Sequence, residues 1–200
     1  MAPSSTPTVY FGYGSNLWLH QMRTRCPTST YLGVARLTNY AWIINDRGYA
    51  NVVSSPSSTS ISDRYTHAVF GLVFSLLPAD EKRLDANEGV PRAYTKEYLT
   101  CDFWASSDGK PIDANNPPTK TKQMLVYIDR KRVTEDKPKE EYVYRMNRGI
   151  EDALKMGVPR AYVKEVMRRF IPEDGEGEKR RSLEDKARRQ AVEFVDENEK

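Results

Sequence analysis

Apolar residues gather in short runs divided by turn signals, and these runs predict strands interleaved with short helices. Tyr10-Phe11-Gly12-Tyr13 reads as a strand that stops abruptly at Gly14-Ser15-Asn16, and a helix-compatible pattern follows from Leu17 to about Arg25. Tyr31–Leu37 and Tyr40–Ile44 read as β segments, Asn45-Asp46-Arg47-Gly48 as a turn, and Ala50–Val53 as renewed extended structure. Ser54–Ser62 is a low-complexity polar loop. Ala68–Leu76 is apolar almost without interruption, as a strand buried on both faces would be. Pro78, Asp80 and Glu81 announce a short helix, and Gly89 suits the C′ position that closes it. Tyr94–Phe103 returns to strand, Ser106–Thr121 is a Pro/Asn-rich loop, and Met124–Ile128 is a further strand. Lys139–Lys155 and Pro159–Phe170 read as helices.

Nine residues, Gly89–Glu97 (GVPRAYTKE), return as Gly157–Glu165 (GVPRAYVKE) with one difference. The flanks do not match, so this is no domain repeat. The first copy is expected to lead into a strand and the second to enter a helix. Beyond Pro172 the chain is mostly charged, while Leu183, Ala187, Ala191, Phe194 and Val195 share one helical face. The tail therefore reads either as an amphipathic helix laid over the body or a partner, or as a solvated extension.

Composition adds few constraints. The 200 residues suit one domain with appendages: a disordered lead at 1–8, a domain at 9–172 and a charged tail at 173–200. No stretch approaches the roughly 20 apolar residues that cross a bilayer, and no basic-then-apolar secretory pattern opens the chain. Cys26 and Cys101 are too few and too distant for a disulfide framework or a structural zinc site. These features point to a cytosolic chain without membrane contact, and a formal charge of +3 gives no basis for binding nucleic acid.

Two places could carry chemistry. The Gly14-Ser15-Asn16 junction is either a plain capped strand-to-helix turn or a cradle of backbone N–H groups for a carboxylate or oxyanion. Glu88 lies in the last turn of its helix, three residues after Asp85, where the helix dipole disfavours an ionised carboxylate. In an apolar cleft its pKa would rise toward the working pH, as a general base requires; the plainer reading is an exposed Glu88 paired with Arg83 or Arg92. Ser15 has no G-x-S-x-G setting and His20 would point away from it, so a serine-nucleophile hydrolase is disfavoured. With two histidines in all, metal catalysis has little support, and the Gly-rich turn lacks the nucleotide-binding patterns.

Tyr13-Gly14-Ser15-Asn16-Leu17 after a first strand, followed in order by Leu84-Asp85-Ala86-Asn87-Glu88-Gly89, resembles the γ-glutamylcyclotransferases. Val34-Ala35-Arg36-Leu37, Tyr40 and Gly71-Leu72-Val73-Phe74 are similar to the family in the same order, over roughly residues 9–130 and more loosely 138–170. The resemblance implies an α+β fold, a small mixed β-barrel with flanking helices and a site at one mouth. It implies that Tyr10, Phe11, Gly12, Tyr13, Gly14 and Ser15 line the substrate pocket, with Asn16 supporting the loop. Glu88 is then the catalytic carboxylate. Pro138-Lys139-Glu140-Glu141-Tyr142 fits a P-x-x-x-Y segment whose tyrosine closes the pocket, with Tyr144 as the reserve. The implied reaction cyclises a γ-glutamyl compound to 5-oxoproline and frees an amine or amino acid, without cofactor or metal. The resemblance makes a homodimer reasonable and offers no counterpart for the charged tail. The competing classes are a non-catalytic small-ligand module on the same fold and an interaction protein working through its tail.

Overall fold

Among the described residues, which are 6–56, 65–173 and 179–193 of this computed structural model, two short helices are interleaved with seven strands and the remaining helices follow the last strand. The chain runs through β1 (Thr8–Gly12), a 3₁₀ turn (Ser15–Leu17), α1 (Leu19–Arg25), β2 (Thr30–Thr38), β3 (Tyr40–Ile44), β4 (Ala50–Ser54) and β5 (Ala68–Leu76). It continues with α2 (Pro78–Asn87), β6 (Thr95–Ala105), β7 (Lys120–Ile128), α3 (Glu140–Met156), α4 (Arg160–Glu165), a second 3₁₀ turn (Met167–Arg169) and α5 (Lys179–Val192). No helix is long and apolar enough to cross a membrane among these residues.

Every residue of β5 except Ser75 is buried, so this strand needs neighbours on both edges and cover on both faces. It lies antiparallel between β1 and β2, with Phe74 opposite both Tyr10 and Tyr31. β2 pairs with β6, β6 with β7, and β7 meets β1 in parallel at the Tyr10–Leu125 pair. The five strands thus close into a barrel in the order β1-β5-β2-β6-β7, which leaves no edge exposed. The β3–β4 hairpin forms a separate two-stranded sheet whose turn brings Tyr49 and Ala50 toward one barrel mouth.

The predicted elements are recovered with three shifts. The helix expected from Leu17 is split: a 3₁₀ turn covers Ser15–Leu17, Trp18 is extended, and α1 starts at Leu19. Neither Ser15 nor Asn16 caps it. Asp152 of α3 accepts the Leu19 N–H at 2.9 Å instead, because the Ser15 and Asn16 side chains are drawn elsewhere. The helix expected over Pro159–Phe170 breaks at Val166, where φ of −111° turns the buried Met167 inward. β7 starts at Lys120, four residues before Met124, because its pairing with β6 extends to Phe103. Residues 1–5 of the expected lead, residues 57–62 of the polar loop, and Phe194 and Val195 of the tail lie outside the described residues.

Close approach of β1 and β5 depends on Gly71, where a methyl group would sit 2.4 Å from the Gly12 carbonyl oxygen and 2.8 Å from the Phe11 ring. Gly71→Ala is therefore expected to cost about 1–3 kcal/mol through overpacking. Urea unfolding should show a lower midpoint at an unchanged slope; a wild-type midpoint would mean that the two strands can part there without penalty.

Candidate active site

At one mouth of the barrel, Tyr10, Tyr13, Gly14, Ser15 and Asn16 face Glu88 and Tyr142 across a narrow cleft that opens to solvent. The Asn16 side chain lies at its centre. Its Nδ2 donates to Tyr10 Oη at 2.9 Å and to Glu88 Oε1 at 3.0 Å. Its Oδ1 accepts from Gln21 Nε2 at 2.8 Å and from Arg25 Nη1 at 3.3 Å. Gln21 also donates to Ser15 Oγ at 2.9 Å, and Arg145 Nη1 donates to the same oxygen at 3.1 Å. Ser15 Oγ is thus an acceptor between two donors, with no base beside it, which is no setting for a nucleophile.

Glu88 follows the last residue of α2, and Gly89 at φ +60° turns the chain away as a left-handed C′ residue. The residue is half-buried as a whole, while its carboxyl points into the cleft. Burial pushes that carboxyl above its ordinary 4.5, against the pull of Arg25, the Asn16 hydrogen bond, Arg145 and Arg47, all of which favour the charged form. The surface pairing of Glu88 with Arg83 or Arg92 is not what forms; its bonded partner is Asn16. Asp85 faces elsewhere, accepting from Tyr127 Oη at 2.7 Å and from Lys96 Nζ at 3.1 Å.

Tyr142 comes from the first turns of α3. Its oxygen accepts the N–H groups of Ser15 and Ala50, each at 3.2 Å, which leaves the hydroxyl hydrogen free to be donated into the cleft. Burial pushes the phenol up to about 12, so it keeps its proton at neutral pH. Tyr94 donates to the Ala50 carbonyl at 2.8 Å and Tyr13 to the Tyr127 carbonyl at 2.6 Å, so two further phenols hold the walls. Arg145 is buried in a two-pronged pair with Glu141 at 2.8 and 2.9 Å.

Two expected features change in the structure, and the choice between two tyrosines is resolved. Phe11 and Gly12 do not line the cleft: strand alternation sends Phe11 to the opposite face from Tyr10, where it is fully buried in the core, while Gly12 lies on the Tyr10 face but is covered by the Tyr10 ring and Asn16. The Ser15 amide is not an empty donor, since Tyr142 occupies it. Tyr144 packs on Trp18 away from the cleft, leaving Tyr142 as the tyrosine that faces it. The lining also includes Arg25, Tyr49, Tyr94, Tyr127 and Arg145, which sequence reasoning missed. A signal existed for one of them. Gln21 and Arg25 are one helical turn apart, and two polar side chains at that spacing on a buried face need partners inside. Among the described residues, no group of three His, Cys, Asp or Glu side chains could hold a metal ion.

Solved structures share this architecture. A human protein described as uncharacterized protein loc79017 is 20% identical, with a TM-score of 0.65 over 92% of this chain and 99% of its own. A structure named gamma-glutamyl cyclotransferase is likewise 20% identical, with a TM-score of 0.64 and the same coverage. YkqA from Bacillus subtilis is 15% identical, with a TM-score of 0.60 over 86% of this chain and 57% of its own. At such identities the likeness establishes the fold. No curated protein matches at a significant level. A sequence model described as "Gamma-glutamyl cyclotransferase, AIG2-like" matches residues 10–148, a span that contains Tyr10, Glu88, Tyr142 and Arg145. With that match covering more than half of its length, the chain belongs to the gamma-glutamyl cyclotransferase, AIG2-like family.

Proposed function

We propose that this protein is a γ-glutamylcyclotransferase, converting a γ-glutamyl compound to 5-oxoproline with release of an amine or amino acid, and that Glu88 moves the proton. The observation that carries this reading is the Glu88 carboxyl, held above its ordinary pKa and hydrogen-bonded to Asn16 in the same cleft as the Gly14–Ser15 turn. A general base of this kind must accept a proton and give it back, which needs a pKa raised toward the working pH.

The chemistry follows from the substrate's own atoms. A γ-glutamyl group carries an α-amine that can fold onto its γ-carbonyl to make a five-membered lactam. Because the attack is intramolecular, holding the arm curled supplies several kcal/mol of the barrier. Glu88 takes a proton from the α-ammonium, the amine attacks, and Glu88 returns that proton to the leaving nitrogen as the old C–N bond breaks; the second proton shed by the attacking nitrogen leaves on the departing amine, which is released as its ammonium form. One C–N bond forms and one is lost, so the reaction balances without a cofactor. The Tyr142 hydroxyl, with both acceptor positions filled by Ser15 and Ala50, is the donor turned toward the substrate. It supports either the α-carboxylate or the oxyanion of the tetrahedral intermediate.

Incubation with γ-glutamyl compounds that differ only in the leaving group should release 5-oxoproline from at least one of them. Glu88→Gln keeps the shape and the Asn16 contact but removes the base, and turnover is expected to fall at least about 100-fold. Wild-type-like turnover in that variant would reject the proton-transfer role. In the wild type, kcat/KM should fall as pH drops through the Glu88 pKa, with a midpoint above 4.5.

Tyr142→Phe tests the second group. A loss confined to kcat, about 100-fold or more, assigns Tyr142 to the oxyanion. A rise in KM with kcat preserved assigns it to ground-state binding of the carboxylate.

A further inference from the structure

The matched family region ends at residue 148, yet α5, far beyond it in the chain, packs back against Arg25, one of the cleft's lining residues. Ala187 and Ala191 of α5 are fully buried in a small cluster with Trp18 and Tyr144, which seats the helix against α1 and α3. Its last-turn carbonyls then meet Arg25. Arg25 Nε donates to Ala191 O at 3.0 Å and Nη2 to Gln190 O at 2.8 Å, while Nη1 reaches Asn16 Oδ1 at 3.3 Å. A guanidinium at the carbonyl end of a helix is favourably placed for both hydrogen bonding and the helix dipole.

We propose that Arg25 is a positioning residue for Glu88 and that α5 is the element that holds it: the carbonyls of Gln190 and Ala191 fix the guanidinium so that its third arm braces Asn16 and its charge faces the Glu88 carboxyl. The importance of that charge to the reaction rests on the reading of Glu88 as the acid/base. Unlike Arg145, which is cancelled by Glu141, Arg25 gives its hydrogens to neutral oxygens and so keeps its field. Burial, and then the nearby Arg145 charge, lower its pKa only to about 10, so it stays charged at neutral pH. It stands first among the groups that pull the Glu88 carboxyl back toward ionisation. The other groups facing Glu88 are Arg145 and Tyr142 from α3, Arg47 from the hairpin turn, Tyr10 and Tyr13 from β1 and its exit, Cys26 after α1, Tyr94, and Tyr127 from β7. The thiol and the phenols are raised by burial and remain neutral, so the arginines decide the field.

Full-length Ala187→Arg tests this away from the cleft, because a long charged side chain cannot occupy a fully buried alanine site and must lift α5. The readout is the ¹³C titration of the Glu88 side-chain carboxyl, identified by its absence in Glu88→Gln. Its midpoint is expected to rise by about one pH unit, because an opposite charge has moved away. The acid limb of kcat/KM should move upward by the same amount, with kcat lowered and KM within about twofold, since the Gly14–Ser15 turn, Glu88 and Tyr142 are unchanged. Combining Ala187→Arg with Arg25→Met should raise the midpoint no further than Arg25→Met alone, because both act through one residue. Ala187→Ser, which keeps the side chain small, should restore the wild-type midpoint. Gln190→Pro disturbs the last turn of α5 alone and carries the same expectation should Ala187→Arg fail to fold. A lower unfolding midpoint with an unmoved Glu88 titration overturns the proposal, since α5 would then be a merely stabilising cover. Because the titration needs no turnover, the two readings separate. A raised midpoint in a protein that releases no 5-oxoproline keeps the Arg25 assignment and sinks the catalytic one, whereas normal turnover with an unmoved midpoint does the reverse.

Discussion

One carboxamide decides how this cleft is assembled. Asn16 uses both amide hydrogens, on Tyr10 and Glu88, and its carbonyl oxygen takes bonds from Gln21 and Arg25. An amide is the side chain that offers two donors on one side and two acceptor positions on the other. Aspartate would set a second carboxylate against Glu88, and leucine would strand buried polar groups on three elements. A network with every member satisfied is stiff, and its members come from β1, α1 and α2, so the carboxyl can hardly drift without breaking bonds elsewhere. The backbone of the same turn is fixed separately, by Tyr142 on the Ser15 amide and by Trp42 Nε1 on the Tyr13 carbonyl at 3.0 Å.

Why Glu88 arrives at that amide follows from the geometry of β5 and α2. β5 runs antiparallel to β1 and ends at Leu76 opposite Thr8, the far end of β1 from the cleft. α2 begins two residues later and spans ten residues, about 15 Å at the rise of an α-helix. The five residues of β1 cover nearly the same length, at about 3.3 Å each. The helix therefore returns alongside the strand, tied to it near its start by Thr8 and Glu81 and, just past its end, to the 3₁₀ turn that follows the strand by Asn16 and Glu88. Lengthening α2 by one residue would rotate its last side chain by about 100° and take the carboxyl off Asn16. The distance between the two sequence motifs is thus a structural ruler laid along one barrel strand.

The apolar pattern made the barrel strands legible, because each carries a run of buried positions and β5 is buried on both faces. Glu88 and the Gly14 turn were legible as local chemistry, a carboxylate at a helix end and a glycine-rich exit from a strand. What stayed hidden depends on partners distant in sequence. The split of α1 at Trp18 arises because Asn16 is claimed by Tyr10 and Glu88, six and 72 residues away, before it can cap anything. Arg25 reads as one of many surface cations until α5, about 165 residues later, supplies its two carbonyls. Phe11 was misplaced for a simpler reason. A motif carries its members over as a block, whereas a strand sends alternate side chains to opposite faces.

The near-identical segments Gly89–Glu97 and Gly157–Glu165 show where local sequence ceases to decide. The first leads into β6 at Thr95 and the second into α4 at Arg160. The one substitution falls at the start of β6 in the first copy and inside α4 in the second. Thr95 donates its hydroxyl to the Ile128 carbonyl at 3.0 Å and joins the β7 edge, whereas Val163 has no such donor and is buried in the apolar core. The shared tyrosine is spent in two ways as well. Tyr94 crosses to the Ala50 carbonyl and lines the cleft, while Tyr162 is fully buried against Phe70, with ring centres 5.2 Å apart. Intrinsic propensity differs little between the copies, so the choice is made by what lies beside each: an unpaired β7 edge for one, an apolar barrel face for the other. Recurrence of a sequence in this chain therefore does not carry recurrence of a role, and of the two copies it is the one following Glu88 that contributes a side chain to the cleft.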